Sequence, residues 1–454
     1  MRTKGPSTAA ESGAGATGSG GPGLPSEPVR ADAVRIGEML AQIARIGANP
    51  DGSISRISFT AAERQAHELV GGWLRELGLA VRTDAIGNTI AERPGADGRQ
   101  GAIGVGSHLD SVPHGGRFDG IVGVVGAVEL VRILADNGTS TRHPVRVVIF
   151  AGEEGARFGE PCIGSKAVAG DLANRDLGRM RDADGVSLAK ALRTLGMDPA
   201  AVPGAAWRPD DWAAFMELHI EQARSLELEG LPIGLVDTVS GSTRLRLRIE
   251  GRADHSGGTP MDIRQDALAA AAEVVLAAER LAREPHNRGA RLTVGRLDVR
   301  PNSITTIPGE VILTIDIRDV DSDRQRGLAV EIVRLARAHG ERRGVAVDVE
   351  LIADTSPVVL PMWIRELTSR VCHELDVGYR VMTSGAGHDS QVVNAVVPAG
   401  MIFVPSRDGL SHVPEEWTSA SDVARGVDVL TRSVLRLDEL LGSLEAIEEA
   451  GGAA

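Results

Sequence analysis

The chain has 454 residues, with 49 Lys and Arg against 62 Asp and Glu for a net charge of −13, two cysteines and 3% aromatics. That length exceeds what one hydrophobic core supports and predicts roughly two or three domains built from aliphatic side chains. The acidic balance argues against a nucleic acid or an anionic membrane as main partner, two cysteines make no disulfide framework, and no apolar run reaches the length of about 18 residues that spans a bilayer.

Residues 1–30 are a Gly/Ser/Ala/Pro tail without the apolar stretch of a secretory signal, so a disordered segment and a cytoplasmic protein are expected. Helical spacing runs over 31–47. Thr60 reads as the N-cap of a helix to Leu77, with Glu63 closing a capping box, and Gly78 ends it. Residues 79–93 alternate into a hairpin-like pair that turns at Gly87-Asn88. The runs 101–106 (GAIGVG) and 145–150 (VRVVIF) read as buried parallel strands, and between them 121–136 is a helix that stops at Asn137-Gly138. In such a βαβ unit the carboxyl ends of the strands face the ligand crevice. His108, Asp119 and the pair Glu153-Glu154 therefore share one rim.

Beyond it, 171–213 is helix plus excursion loop, and 214–220 (AFMELHI) is a third buried strand that delivers His219, Glu221 and Gln222 to its end. From Val239 the pattern changes: strand 243–250, Ala-rich helix 262–283, strands 290–298 and 310–318, helix 321–339, strand 344–352. That βαββαβ order is ferredoxin-like. It predicts an inserted module at 239–354 between two parts of an α/β host domain, 31–238 and 355–446, with a second disordered tail at 447–454. In the host, helix 361–375, the loop 384–390 (SGAGHDS) and strand 399–404 lead to His412, beyond a fourth strand end. An amphipathic helix over 418–445 closes the chain.

Imidazoles and carboxylates on one rim suit a borderline metal such as zinc, manganese, cobalt or nickel. A Glu-Glu pair after a strand is by itself an ordinary solvated loop, but adjacent side chains point apart, so one can ligate metal while the other serves as general base. His67, His143, His286, His339 and His373 lack such a setting; His108, His219 and His412 each lie just past or at a strand end. With Asp119 and Glu154 they make five ligands, enough for two ions if Asp119 bridges. Asp110 is an acceptor for the other ring nitrogen of His108.

The segments GSHLDSVPHGGRFDG, FAGEEGARFG, ELHIEQ, ADHSGGTPM, NSITTIPGEV, IDIRD, GAGHDS and GLSHVPEE resemble, in order, those of the amidase/hydantoinase-carbamoylase family of M20 metallohydrolases over roughly residues 35–440. The resemblance implies a zinc-peptidase-like mixed sheet with an inserted dimerisation and lid domain, and a homodimer. It implies that His108, Asp119, Glu154, His219 and His412 hold two divalent ions, with Glu153 as catalytic base; Asp110, which orients His108, is counted with Glu153 and His255 among the catalytic residues. It also implies that Gln222, Asn302, Thr305, Arg318, Gly387 and His388 contact substrate, Arg318 holding a carboxylate, and that the inserted domain presents His255 to the reacting carbonyl; the resemblance allows it to do so in the site of the other subunit. Two positions depart from the family pattern: Thr305 stands for an Asn, and Ala223 for a Gly. The implied reaction is hydrolysis of an N-carbamoyl amino acid or another small anionic ureido or amide compound to amine, carbon dioxide and ammonia. Alternatives are an allantoate amidohydrolase, an aminoacylase or peptidase on the same scaffold, and a noncatalytic dimeric binding protein.

Overall fold

The computed structural model describes residues 30–96, 98 and 101–451. Residues 1–29 of the expected tail and residues 452–454 lie outside them. Asp32 caps α1 (Ala33–Ile43) by accepting from the N–H groups of Val34 and Arg35. Thr60 caps α2 (Ala61–Glu76), but the box expected with Glu63 is not closed: the Glu63 carboxylate bonds the N–H groups of Phe59 and Gly152 instead. The hairpin pair is β1 (Ala80–Thr83) and β2 (Thr89–Arg93). Then come β3 (Ala102–His108), α3 (Ile121–Asp136) and β4 (Val145–Phe150). The excursion holds α4 (Ile163–Val168) and α5 (Leu188–Thr194), and β5 (Trp212–Ile220), α6 (Ser225–Glu229) and β6 (Ile233–Val239) follow.

The chain crosses at Ser240 into a second sheet and returns near Ser356. The crossing encloses β7 (Gly241–Glu250), β8 (Asp254–His255), α7 (Ala267–Ala282), β9 (Arg291–Arg300), β10 (Thr306–Ile307), β11 (Glu310–Asp319), α8 (Ser322–Arg343) and β12 (Ala346–Thr355). Helix α7 starts later than periodicity suggested, because Asp266 accepts from the N–H groups of Leu268 and Ala269 and so fixes the first turn. After β13 (Val358–Val359) come α9 (Met362–Glu374), β14 (Tyr379–Ser384), α10 (Asp389–Val393), β15 (Ala399–Val404) and α11 (Ala420–Gly451). The last helix continues past 446, where a tail was expected, since Leu444 to Ala450 are nearly all good helix formers.

The first sheet has nine strands in the order β1-β2-β4-β3-β5-β15-β6-β13, with β14 also on β6. Its pairings are mixed: β4, β3, β5 and β15 run parallel, whereas β2 and β6 join them antiparallel. Helix α3 is buried around nearly its whole circumference and packs with α1 and α11 on one face. The second sheet, β12-β7-β11-β9, is antiparallel throughout. Alternate residues of β11 are buried, Val311, Leu313, Ile315 and Ile317, and they meet α7 and α8 in a separate apolar core. No helix among the described residues is long and apolar enough to cross a membrane.

Candidate active site

The parallel strands end along one edge. His108 is the last residue of β3 and His219 the last but one of β5, and both are buried. Asp119 stands just before Gly120, the N-cap of α3. An added Cβ on Gly120 would lie 2.4 Å from the His108 ring, and its φ is +73°, so only glycine lets the helix begin against the imidazole. His412 arrives on the loop after β15, itself at φ +62°.

Asp119 is the hub of the cluster. Its Oδ1 lies 3.1 Å from His219 Nε2 and 3.8 Å from His108 Nε2, while its Oδ2 lies 3.4 Å from His412 Nε2. Glu154 Oε2 is 3.1 Å from His412 Nε2, and Glu153 Oε2 is 3.7 Å from His108 Nε2. His219 Nδ1 donates to the Ile220 carbonyl at 2.9 Å, and His108 Nδ1 to the Asp110 carbonyl at 3.2 Å with Asp110 Oδ1 3.4 Å away. Each ring is thereby turned with Nε2 toward Asp119.

These donors suit divalent cations. His108, Asp119 and His219 bring one ligand atom each within 4.8 Å of one another, and Asp119, Glu154 and His412 do the same. Mixed imidazole and carboxylate donors are the ligand chemistry of zinc and its neighbours. A third grouping, Glu217, His219 and His388, is otherwise engaged. Glu217 accepts from Ser107 Oγ and Ser390 N–H, and His388 Nε2 meets Ser384 Oγ at 2.8 Å.

The electrostatics point the same way. Burial disfavours the charged imidazoles, yet Asp110 and Glu153 lift His108 well above its ordinary value, and Glu154 and Asp119 lift His412 to about 11. Burial likewise opposes ionisation of Asp119, but His219 and His412 hold its carboxyl well below the usual range. Carboxylates that stabilise this much positive charge suit a cation. Burial pushes the Glu153 carboxyl up to about 7, against His108 and with the help of Glu154, Asp110 and Asp119. A carboxyl there can both take and give a proton near neutrality.

Asp119, Glu153, Glu154, His219 and His412 line one wall of a cleft of about 320 Å³, together with Gln222, Gly387 and His388. The second sheet supplies Ser242, Arg244 and Arg318. Gln222, at φ +57°, donates from Nε2 to Asp119 Oδ2 at 2.6 Å. Arg318 is held by Asp316 at 2.8 Å and by the Gly385 carbonyl at 3.3 Å. Asp110 lies beneath the cleft, fully buried, and accepts from the N–H groups of Glu153 and Glu154. Three sequence candidates are elsewhere: His255, Asn302 and Thr305 are exposed at the tip of the second sheet and do not line this cleft. His255 Nδ1 there accepts from the N–H groups of Gly257 and Gly258.

Sequence reasoning missed Glu416. It is buried and accepts from the N–H groups of Phe118 and Asp119 at 2.7 and 3.0 Å, and from Ser411 Oγ and the His412 N–H. One side chain thus ties the Asp119 loop to the His412 loop. An added Cβ on Gly116 would fall 2.2 Å from the Glu416 carboxylate, so this glycine makes room for it. The only signal was the Glu415-Glu416 pair three and four residues after His412, which looks like a solvated turn until the loops are brought together.

Loops that bring imidazoles and carboxylates to the ends of parallel strands, centred on one shared aspartate and faced by an antiparallel sheet, are the arrangement expected of a metal-dependent hydrolase. The chain belongs to peptidase family M20/M25/M40, whose sequence profile matches residues 104–436. It is 40% identical over 403 residues to the N-carbamoyl-L-amino acid amidohydrolase of Geobacillus stearothermophilus, covering 89% of this chain and 98% of that one. It is 35% identical over 430 residues to the ureidoglycolate hydrolase of Oryza sativa subsp. japonica, covering 94% and 88%. The solved structure of AtUAH in complex with (S)-hydroxyglycine superposes with a TM-score of 0.87 at 32% identity, covering 90% of this chain and 99% of that one.

Proposed function

We propose that this protein hydrolyses the ureido C–N bond of N-carbamoyl amino acids, releasing amino acid, carbon dioxide and ammonia, with two divalent ions per subunit. The observation that carries this is Asp119, which turns one oxygen to His108 and His219 and the other to His412, in a cleft whose far wall presents Arg318. His108 and His219 would hold one ion, Glu154 and His412 the other, with Asp119 between them. Zinc is the first choice, with manganese, cobalt or nickel as alternatives. When bound, such ions supply Lewis-acid polarisation of the scissile carbonyl and of water.

The chain's own groups do the rest. Glu153 takes a proton from the attacking water and returns it to the leaving nitrogen. Arg318 orients the substrate carboxylate through its planar fork, while Asp316 and the Gly385 carbonyl keep the guanidinium in place. Gln222 fixes Asp119 and borders the substrate, as do Gly387 and His388. Burial first, then His219, holds His388 well below its ordinary value, so it meets substrate as a neutral ring.

A homodimer accounts for the residues outside the cleft. His255, Asn302 and Thr305 are exposed at the tip of the second sheet beside Ile304, Met261 and Ile263, which are 98, 77 and 65% exposed. In a two-fold pair this tip would reach the partner's cleft and bring His255 to the carbonyl oxygen.

A second reading, an acid related to ureidoglycolate or allantoate, draws on the Oryza sativa relative. The deciding experiment is ammonia release from N-carbamoyl-α-amino acids, β-ureidopropionate, ureidoglycolate and allantoate after metal depletion and reloading with each of the four ions. Fastest turnover of an N-carbamoyl-α-amino acid is expected. Cleavage of N-acyl amino acids without ammonia release from any ureido acid would move the protein to the aminoacylases. No turnover of anything by metal-loaded protein would make it a binding protein.

A further inference from the structure

Residues Ala151 to Glu154 form a loop with no secondary structure of its own, yet every N–H in it is held by a side chain. Asn88 Oδ1 accepts from Ala151 at 2.9 Å, Glu63 Oε1 from Gly152 at 2.9 Å, and Asp110 Oδ1 and Oδ2 from Glu153 and Glu154 at 2.9 and 3.1 Å. The carbonyl side is held as well. The N–H groups of Gly164, Ile163 and Cys162 donate to the carbonyls of Ala151, Gly152 and Glu153 at 2.9, 3.0 and 2.7 Å. Seven hydrogen bonds on four residues leave the loop one conformation.

The holders are themselves fixed. Glu63 also accepts from the Phe59 N–H, and Asn88 Nδ2 donates to Asp84 and to the Gly164 carbonyl. Gly152 sits at φ +69° with an added Cβ 2.5 Å from the Phe59 ring, and an added Cβ on Gly164 would lie 2.3 Å from Asn88 Oδ1. Glu63 and Asn88 are fully buried polar groups on α2 and on the β1–β2 turn, far from the metal ligands in sequence. A buried polar group costs more than an apolar side chain unless it is hydrogen-bonded, and here the bonds converge on the loop that carries the proton-transfer group.

We propose that Glu63 and Asn88 are positioning residues that aim Glu153 by clamping the backbone on which it stands. The proposal rests on the reading of Glu153 as general base. Misplacement of a reacting group by about 1 Å can cost about 100-fold in rate, so each clamp residue acts on kcat through Glu153 while touching neither substrate nor metal.

The test compares wild type, Glu63→Ala, Asn88→Ala and Glu153→Asp, together with the doubles that combine each clamp change with Glu153→Asp. For each, kcat, KM, bound metal and amide hydrogen exchange over 150–155 are measured. Expected are a drop of roughly 10–100-fold in kcat with KM and metal content near wild type, faster exchange over 150–155, and less-than-additive losses in the doubles. Either clamp variant suffices if the other fails to fold. Wild-type kcat or unchanged exchange over 150–155 in a folded variant overturns the proposal, as does a fully additive loss in the doubles, the mark of a purely structural role. Failure of the underlying reading shows separately, as wild-type turnover in Glu153→Asp and in Glu153→Gln.

Discussion

Glu153 and Glu154 are neighbours in sequence whose side chains go to opposite sides of the cluster, Glu153 toward His108 and Glu154 toward His412. Glu153→Gln keeps the shape and removes the proton carrier, so turnover is expected to be lost with metal content near wild type. Glu154→Gln is expected to lower metal content as well as rate. Metal analysis of the two purified variants distinguishes the roles; loss of one equivalent in Glu153→Gln rather than Glu154→Gln means the assignment is reversed. At Arg318 the decisive property is fork geometry. Arg318→Lys retains charge but not the paired donors, and a loss of roughly 10–100-fold in kcat/KM is expected for free-acid substrates. Substrates amidated at the carboxylate should not feel the change, and equal wild-type rates for acid and amide would remove Arg318 from the role of anchor.

At the scale of elements, α7 and α8 are joined by one acid. Glu273 on α7 meets Arg343 at 2.5 Å, His339 at 2.8 Å and also Arg342, all on α8. Arg343 first, then His339 and Arg342, lower its carboxyl from 4.5 to about 2 against the effect of burial. A carboxyl depressed in the folded state contributes stability that is whole above its unfolded value and is lost as pH falls through its folded one. The Glu273 contribution is therefore full above about pH 4.5 and fades toward pH 2. Glu273→Gln is expected to cost about 1 kcal/mol at pH 7, the upper end for a solvent-accessible network. The difference from wild type should shrink by pH 3. Denaturant unfolding of both proteins at the two pH values checks this, and a difference independent of pH would remove the ion pairs as its source.

For the molecule as a whole, the prediction concerns assembly. If His255 serves the partner's cleft, mixed dimers of Glu153→Gln and His255→Ala subunits carry one site with both groups intact. Two inactive homodimers are then expected to regain about half the activity of wild type in each mixed dimer after subunit exchange, by the site arithmetic of a two-fold pair. No recovery after exchange has been verified by mass would place His255 outside the reaction or within its own chain. Sedimentation of the wild type as a monomer would dismiss the dimer directly.

The sequence by itself determined most of the local elements and the cluster of imidazoles and carboxylates that could hold metal. β-branched runs such as VRVVIF can only be buried strands in this context, and the parallel ones end in acid or histidine, which is enough to place His108, Asp119, Glu153, Glu154, His219 and His412 on one rim. The four long strands and two helices of the 241–355 segment were legible for the same reason, since period 2 and period 3.6 alternate through it, whereas the two-residue strands β8 and β10 were not. The strands β6 and β14 were not foreseen, because each finds its place only as a neighbour of the other and of β15. Tertiary structure alone decided what holds the site together. Glu63 reads as a capping acid, Asn88 as a turn former and Glu416 as a surface acid, and periodicity has no access to contacts between residues 298 positions apart, such as Glu416 with Phe118. Local pattern records which face of an element is buried; the partner of a buried polar group is set by which loops the fold brings together, and that information is not local.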